Sequence, residues 1–202
     1  MRPSPRIAVL ISGNGSNLQA LIDGCADDTI SGAIVAVFSN RRRAFGLTRA
    51  ERAGIPHQVA PYGPFKGRDD AREAYDAALA DRVAATEPDL VVLAGWMRIL
   101  TGHFLRRFPK RVLNLHPALP GAFPGLNAIE RAWNAAQQGA LDRTGIMVHE
   151  VIEEVDAGPV LGTAEVPISE GMSLADLEAA IHRAEHRLLV QVVAERCLSL
   201  QR

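Results

Sequence analysis

Asn114-Leu115-His116-Pro117 is the stretch of this chain best suited to chemistry. If the residues leading into it form a strand, side chains two apart face the same way. Asn114 and His116 then point to one side, and Pro117 stops the strand. An amide N–H beside an imidazole N–H can receive the negative charge that develops on a carbonyl oxygen when an amine attacks it. Imidazole also moves protons near neutral pH. The pair therefore suits acyl transfer. An acid is needed to orient the histidine or relay the proton of the amine. Asp156, in Glu153-Glu154-Val155-Asp156-Ala157-Gly158-Pro159, is the candidate, with Gly158 and Pro159 to fix its backbone. Each residue alone has a plainer reading. A histidine near a strand end is more often structural, and an aspartate before Ala-Gly-Pro more often forms a turn. The spacing from Asn114 to Asp156 does not by itself bring them together.

A second candidate is Ile11-Ser12-Gly13-Asn14-Gly15-Ser16-Asn17-Leu18. Its glycines let backbone approach a ligand, and the free N–H groups of a following helix favour an anion. Phosphate is the natural guest, with Gly15, Ser16 and Asn17 as donors. Leu18 stands where a dinucleotide fingerprint needs its third glycine, and Ser39-Asn40 supplies no acid for a ribose. No Gly-Lys-Ser/Thr follows, so this is not a P-loop. The bland alternative is a tight turn at Gly13 and Gly15 with Ser16 capping a helix. His182 and His186 share a helical face, but Arg183 stands where a zinc protease has glutamate and no third ligand is visible. Arg41-Arg42-Arg43 suits a phosphate, a nucleic acid or a solvated face. Neither a Gly-x-Ser-x-Gly elbow nor a plausible nucleophilic cysteine is present, so covalent catalysis is not indicated.

The elements that position these residues alternate. Apolar runs at 7–11, 33–38, 90–94 and 111–116 read as buried strands. Helical patterns occupy 16 to about 25, about 43 to 53, and 69–85. Continuous apolar strands separated by helices indicate a parallel sheet covered on both faces. Stretches 145–152 and 159–167 read as an antiparallel pair closing that sheet. Ser173-Leu174-Ala175-Asp176 has the form of a capping box opening a long final helix. Leu174, Leu177, Ile181, Ala184 and Leu188 give that helix one apolar face. Residues 61–67 are the most loop-like stretch.

The 202 residues suit one domain, 1–202, and 48% hydrophobic content is ordinary for a globular chain. With 22 basic against 23 acidic residues, the balance argues against a nucleic-acid backbone as main ligand. Two cysteines, Cys25 and Cys197, make neither a disulfide framework nor a metal site. No apolar run approaches the roughly 20 residues of a membrane helix, and residues 7–11 are too short for the core of a signal peptide. The expectation is a cytoplasmic protein.

Taken in order, these stretches resemble the glycinamide ribonucleotide formyltransferases, within the folate-dependent formyltransferase family. The likeness runs from Val9 to Ala20 through Val37-Phe38-Ser39-Asn40, Ala44-Phe45-Gly46-Leu47 and Arg72-Glu73-Ala74-Tyr75-Asp76. It is strongest at Ala94-Gly95-Trp96-Met97-Arg98-Ile99-Leu100 and at Asn114-Leu115-His116-Pro117. It closes with Val155-Asp156-Ala157-Gly158-Pro159-Val160 and Glu185-His186. The resemblance implies a Rossmann-like formyltransferase fold: a mostly parallel central sheet with helices on both faces and an antiparallel C-terminal strand pair. It makes Asn114, His116 and Asp156 a catalytic trio. Gly15, Ser16 and Asn17 would hold the ribonucleotide phosphate, with Glu185 and His182 on the same substrate. Arg72, Met97, Arg98, Ile99, Leu100, Asn114, Ile152, Glu153, Glu154, Val155 and Asp156 would contact the folate. Phosphate binding would fall to the half about 1–100, and catalysis and folate binding to the half about 101–202.

The implied activity is transfer of a formyl group from 10-formyltetrahydrofolate, a cosubstrate, to the amine of glycinamide ribonucleotide in de novo purine synthesis. No tightly bound cofactor, metal, nucleic acid or membrane is implied, and the chain would be a monomer or homodimer. The rivals are a methionyl-tRNA formyltransferase, a formyltetrahydrofolate deformylase or a non-catalytic nucleotide-binding module. The first two carry an added domain for which these 202 residues leave no room. Ala118-Leu119-Pro120-Gly121-Ala122, Met147 and His182 depart from the familiar pattern.

Overall fold

In the computed structural model, which describes residues 4–201, seven strands form one sheet in the order β3-β2-β1-β4-β5-β6-β7. The strands are β1 (Arg6–Ile11), β2 (Ala33–Ser39), β3 (His57–Val59), β4 (Leu90–Leu93), β5 (Val112–His116), β6 (Arg143–Glu150) and β7 (Val160–Pro167). The helices are α1 (Ser16–Ala26), α2 (Phe45–Arg52), α3 (Ala71–Ala84), α4 (Gly102–Leu105), α5 (Ala128–Gln137) and α6 (Leu174–Gln201). The strands β3, β2, β1, β4 and β5 are parallel, whereas β6 runs antiparallel to both β5 and β7. This is the Rossmann-like architecture expected, with its antiparallel C-terminal pair.

Strand alternation builds two apolar cores. Ile7, Val9 and Ile11 of β1, Val92 of β4 and Leu113 and Leu115 of β5 face one way, toward α1, α2 and α6. Ala8, Leu10, Val91, Leu93 and Val112 face the other way, toward Tyr75, Leu79 and Val83 of α3 and Phe104 of α4. Side chains buried on both faces are why these runs are continuously apolar rather than alternating. In α6, Leu177, Ile181, Ala184 and Leu188 lie in the first core. Its start is a true capping box: Ser173 Oγ accepts the Asp176 N–H, and Asp176 Oδ2 accepts the Ser173 N–H, both at 3.2 Å.

Several local expectations need correction. The pattern about 43 to 53 forms a helix only over Phe45–Arg52, because Ala44 is still extended at its N-cap. The strand expected at 145–152 lies at Arg143–Glu150, with the chain turning off at Val151. The expected ends of the other runs differ by one or two residues. The loop-like stretch 61–67 contains a 3₁₀ turn at Gly63–Phe65. The elements β3, α4 and α5 were not expected at all. Residues 1–3 and 202, the ends of the expected domain 1–202, lie outside the described residues. Among the described residues no helix is long and apolar enough to cross a membrane.

Candidate active site

The order β3-β2-β1-β4-β5 reverses direction at β1 and β4, and ligands of such sheets bind where the loops after those two strands part. Ser12, buried just after β1, stitches this point. Its N–H donates to the Gly95 carbonyl at 3.0 Å, and its Oγ accepts the Met97 N–H at 2.8 Å. The glycine loop and the segment 95–100 are therefore held side by side. Nothing about an isolated serine had marked Ser12 out.

One strand over, Asn114 and His116 lie on the same face at the end of β5, as the two-residue period requires. The antiparallel register sets Asn114 directly opposite His149 of β6. Directly opposed residues share a face of the sheet, so the buried His149 joins the pair from a strand that sequence reasoning had not connected to it. Asp156 comes from the loop after β6, with φ of 53°, in the left-handed region that aspartate tolerates better than most residues. Gly158 fixes that loop, because a Cβ there would be driven into the Glu150 carbonyl oxygen.

Three side chains and one backbone N–H converge on the Asp156 carboxylate. Asp156 Oδ2 accepts the Gly125 N–H at 2.9 Å and lies 3.4 Å from His116 Nδ1. Oδ1 accepts from Asn114 Nδ2 at 3.4 Å and lies 3.5 Å from His149 Nε2. His149 Nδ1 donates to the Glu150 carbonyl at 2.9 Å, and its Nε2 faces Asn114 Nδ2 at 3.2 Å. That nitrogen accepts from Asn114 when the ring is neutral and donates to Asp156 when it is protonated. Both amide hydrogens of Asn114 are thus directed at Asp156 and His149. An incoming carbonyl oxygen must take one of them over to use Asn114 as a donor.

His116 is 4% exposed. Burial pulls its imidazole below the ordinary range, while Asp156 and the Phe123 carbonyl, 3.2 Å from Nε2, pull the other way. Its two nitrogens face two acceptors, so the protonated ring satisfies both and the neutral ring only one. Such a histidine is neutral at rest and readily charged as a reaction proceeds. Burial works to raise the Asp156 carboxyl, but the His149 ring, the Gly125 N–H and His116 outweigh it and hold the group below the usual carboxylate range. Asp156 is therefore an anion at neutral pH.

This cluster lines a cavity of about 430 Å³. Its wall carries Arg72, Met97, Arg98, Ile99 and Leu100 from one side and residues 151–156, including Ile152, Glu153, Glu154 and Val155, from the other. Met97 and Ile99 are exposed, whereas Trp96 and Leu100 turn inward. Arg98 does not reach freely into the cavity, because its guanidinium lies 3.7 Å over the Tyr62 ring. Buried Asp76 accepts the Thr101 N–H and so anchors the end of the same segment. Burial raises its carboxyl, against the pull of Thr101 and the Arg98 and Arg72 charges.

The remaining expected residues form a separate group across the Ser12 stitch. Gly15, with φ of 76°, is the N-cap of α1, and Ser16 is the first helical residue rather than the cap. Asn17 Nδ2 donates to Glu185 Oε2 at 3.3 Å, and His182 Nδ1 reaches the same oxygen at 2.8 Å. That hydrogen bond raises the His182 imidazole above its ordinary range, against partial burial. Among the described residues no group of three or more histidine, cysteine, aspartate or glutamate residues is placed to hold a metal ion.

Comparison with known proteins agrees with this fold. The family model described as formyl transferase matches residues 5–193. A phosphoribosylglycinamide formyltransferase of Schizosaccharomyces pombe is 49% identical over 93% of this chain and 94% of its own length. The human trifunctional purine biosynthetic protein adenosine-3 is 40% identical over 96% of this chain, which corresponds to 19% of that larger protein. A solved structure of glycinamide ribonucleotide transformylase 1 from Symbiobacterium toebii superposes with a TM-score of 0.89, at 42% identity, over 96% of this chain and 88% of that one. With the family model, these relatives and the fold in agreement, the chain belongs to the formyl transferase family.

Proposed function

We propose that this chain transfers the formyl group of 10-formyltetrahydrofolate to the amine of glycinamide ribonucleotide, yielding formylglycinamide ribonucleotide and tetrahydrofolate in purine synthesis. The observation that carries the proposal is the Asn114–His116–Asp156 cluster, which lines a cavity whose 95–100 wall is tied through Ser12 to the glycine loop. The amine nitrogen attacks the formyl carbon, and the carbonyl oxygen takes up the electron pair. His116, which takes up a proton from solvent as the negative charge develops, and one Asn114 N–H stabilise that oxyanion. Asp156, an anion held among donors, supports the charged imidazole and accepts the proton that the amine nitrogen loses. Collapse of the tetrahedral intermediate re-forms the carbonyl, releases the His116 proton to solvent and breaks the bond to the folate nitrogen, which leaves with the proton that Asp156 took up.

In this reading the folate lies in the cavity against residues 97–100 and 152–156, with Arg72 at its outer end. The ribonucleotide phosphate lies on Gly15, Ser16 and Asn17, and its ribose side faces Glu185 and His182. Residues 1–202 act as one functional unit, and its two halves share the folate site, since Arg72 and residues 97–100 come from the first. Both substrates are small molecules, and a cytoplasmic setting fits them.

The test is a formyl-transfer assay with both substrates, scored for tetrahydrofolate release and product mass. Preferential formylation of methionyl-tRNA, or hydrolysis of the formylfolate to formate, would overturn the proposal.

A further inference from the structure

The glycine loop is held from behind by α2. Arg49 Nε donates to the Asn14 carbonyl at 3.0 Å, Nη2 to Asn14 Oδ1 at 3.0 Å, and Nη1 to Gln19 Oε1 at 3.1 Å. The guanidinium is steadied over the Phe45 ring, 5.0 Å from its centroid. One turn earlier, the Gly46 N–H donates to the Gly13 carbonyl at 3.2 Å. The C=O and N–H of a trans peptide point in opposite directions. Drawing the Gly13 and Asn14 carbonyls onto α2 therefore turns the Asn14 and Gly15 N–H groups away from it. Consecutive N–H groups aligned in this way make an anion-binding concavity.

We propose that Arg49 is a positioning residue for phosphate binding, one that sets the direction of the Gly15 N–H and places a fixed positive charge behind the loop. The inference rests on the function proposed above, in which this loop takes the ribonucleotide phosphate. Only a planar fork reaches the carbonyl and the side-chain oxygen of Asn14 together, so lysine is not an equivalent residue. Substituting Gly15 itself would be a poor test, since a Cβ there would sit 2.6 Å from Gly46 Cα.

The experiment compares Arg49→Met, which keeps the packing stem, and Arg49→Lys, which keeps the charge. Ribose 5-phosphate binding is measured by calorimetry, and KM is measured for each substrate. Arg49→Met should weaken ribose 5-phosphate binding and raise KM for glycinamide ribonucleotide by about tenfold or more, the scale of a lost charged hydrogen-bond pair. KM for the formylfolate should stay within about twofold, because that pocket is untouched. Arg49→Lys should fall between. Unchanged ribose 5-phosphate affinity in Arg49→Met, or an equal rise in both KM values, would overturn the inference. If Arg49→Met does not fold, Arg49→Lys decides: wild-type phosphate affinity overturns the fork argument, and weakened affinity supports it. Wild-type protein that ignores ribose 5-phosphate and glycinamide ribonucleotide alike would instead sink the proposed function, and the role of Arg49 with it.

Discussion

Replacing Asp156 by asparagine keeps the shape of the side chain and removes its charge. The structure says which contacts survive. The new amide oxygen can still accept the Gly125 N–H, made at 2.9 Å in the native site. Its NH₂ then faces Asn114 Nδ2, where an acceptor stood at 3.4 Å, and two donors oppose each other. His116 loses the anion 3.4 Å from its Nδ1, so burial is left to hold the ring neutral. A charged hydrogen bond contributes about 1.5–3 kcal/mol, and each 1.36 kcal/mol is about tenfold in rate. Loss of charge support alone thus predicts about ten- to hundredfold, and the lost proton acceptor brings the fall in kcat to about a thousandfold. Both KM values should change only a few-fold, because the interaction is strongest in the transition state. His116→Asn should be similarly severe, and the double variant little worse than either, because coupled residues are not additive.

Stability should follow the sign of the Asp156 shift. Its folded carboxyl lies below the ordinary value, so its ionisation favours the folded state above the unfolded pKa. That contribution disappears as pH falls through the folded pKa. The Asp156→Asn deficit in melting temperature should therefore be largest near neutrality and close in acid. The checks are kcat, KM for both substrates and melting temperature against pH. A fully active Asp156→Asn enzyme would reduce Asp156 to a turn residue and refute the mechanism.

Gly158→Ala should unfold or severely destabilise the protein, by about 3 kcal/mol or more, since backbone rather than a movable side chain blocks the added carbon; thermal melts read this directly. Because its bond to Glu185 keeps His182 protonated above the usual imidazole range, the affinity for glycinamide ribonucleotide should weaken as pH rises through that raised value. His182→Gln should flatten this dependence, and calorimetric titrations across pH would show it. Formylation should need no tRNA and depend only modestly on salt, as the near-equal 22 basic and 23 acidic residues suggest; a steep fall in kcat/KM with salt, as for a protein bound to a nucleic-acid backbone, would contradict this.

Much of this architecture was legible locally. Apolar runs at 7–11, 90–94 and 111–116 betray strands buried on both faces, and the capping box at Ser173 opens α6 where expected. The two-residue period places Asn114 and His116 together without any tertiary information. The helix α5 carries a weaker signal: Ile129 and Trp133, four apart, pack against the first core, but two apolar residues at that spacing did not mark it as a helix. By contrast β3, with three residues, and α4, with four, are too short for any periodicity to register. Periodicity and capping are properties of neighbours along the chain, so the sequence by itself settled six of the seven strands and which way Asn114 and His116 face. The partners of those residues depend on register and on the crossing of distant loops. His149 meets Asn114 because β6 pairs antiparallel with β5 in one register, and a slip of one residue would turn it to the other face. Asp156 reaches both histidines through a left-handed turn that Gly158 allows, and Arg49 reaches Asn14 only because α2 packs on the glycine loop. Those meetings are decided by the tertiary structure, where strand pairing and close backbone contact bring together residues that chain spacing leaves apart.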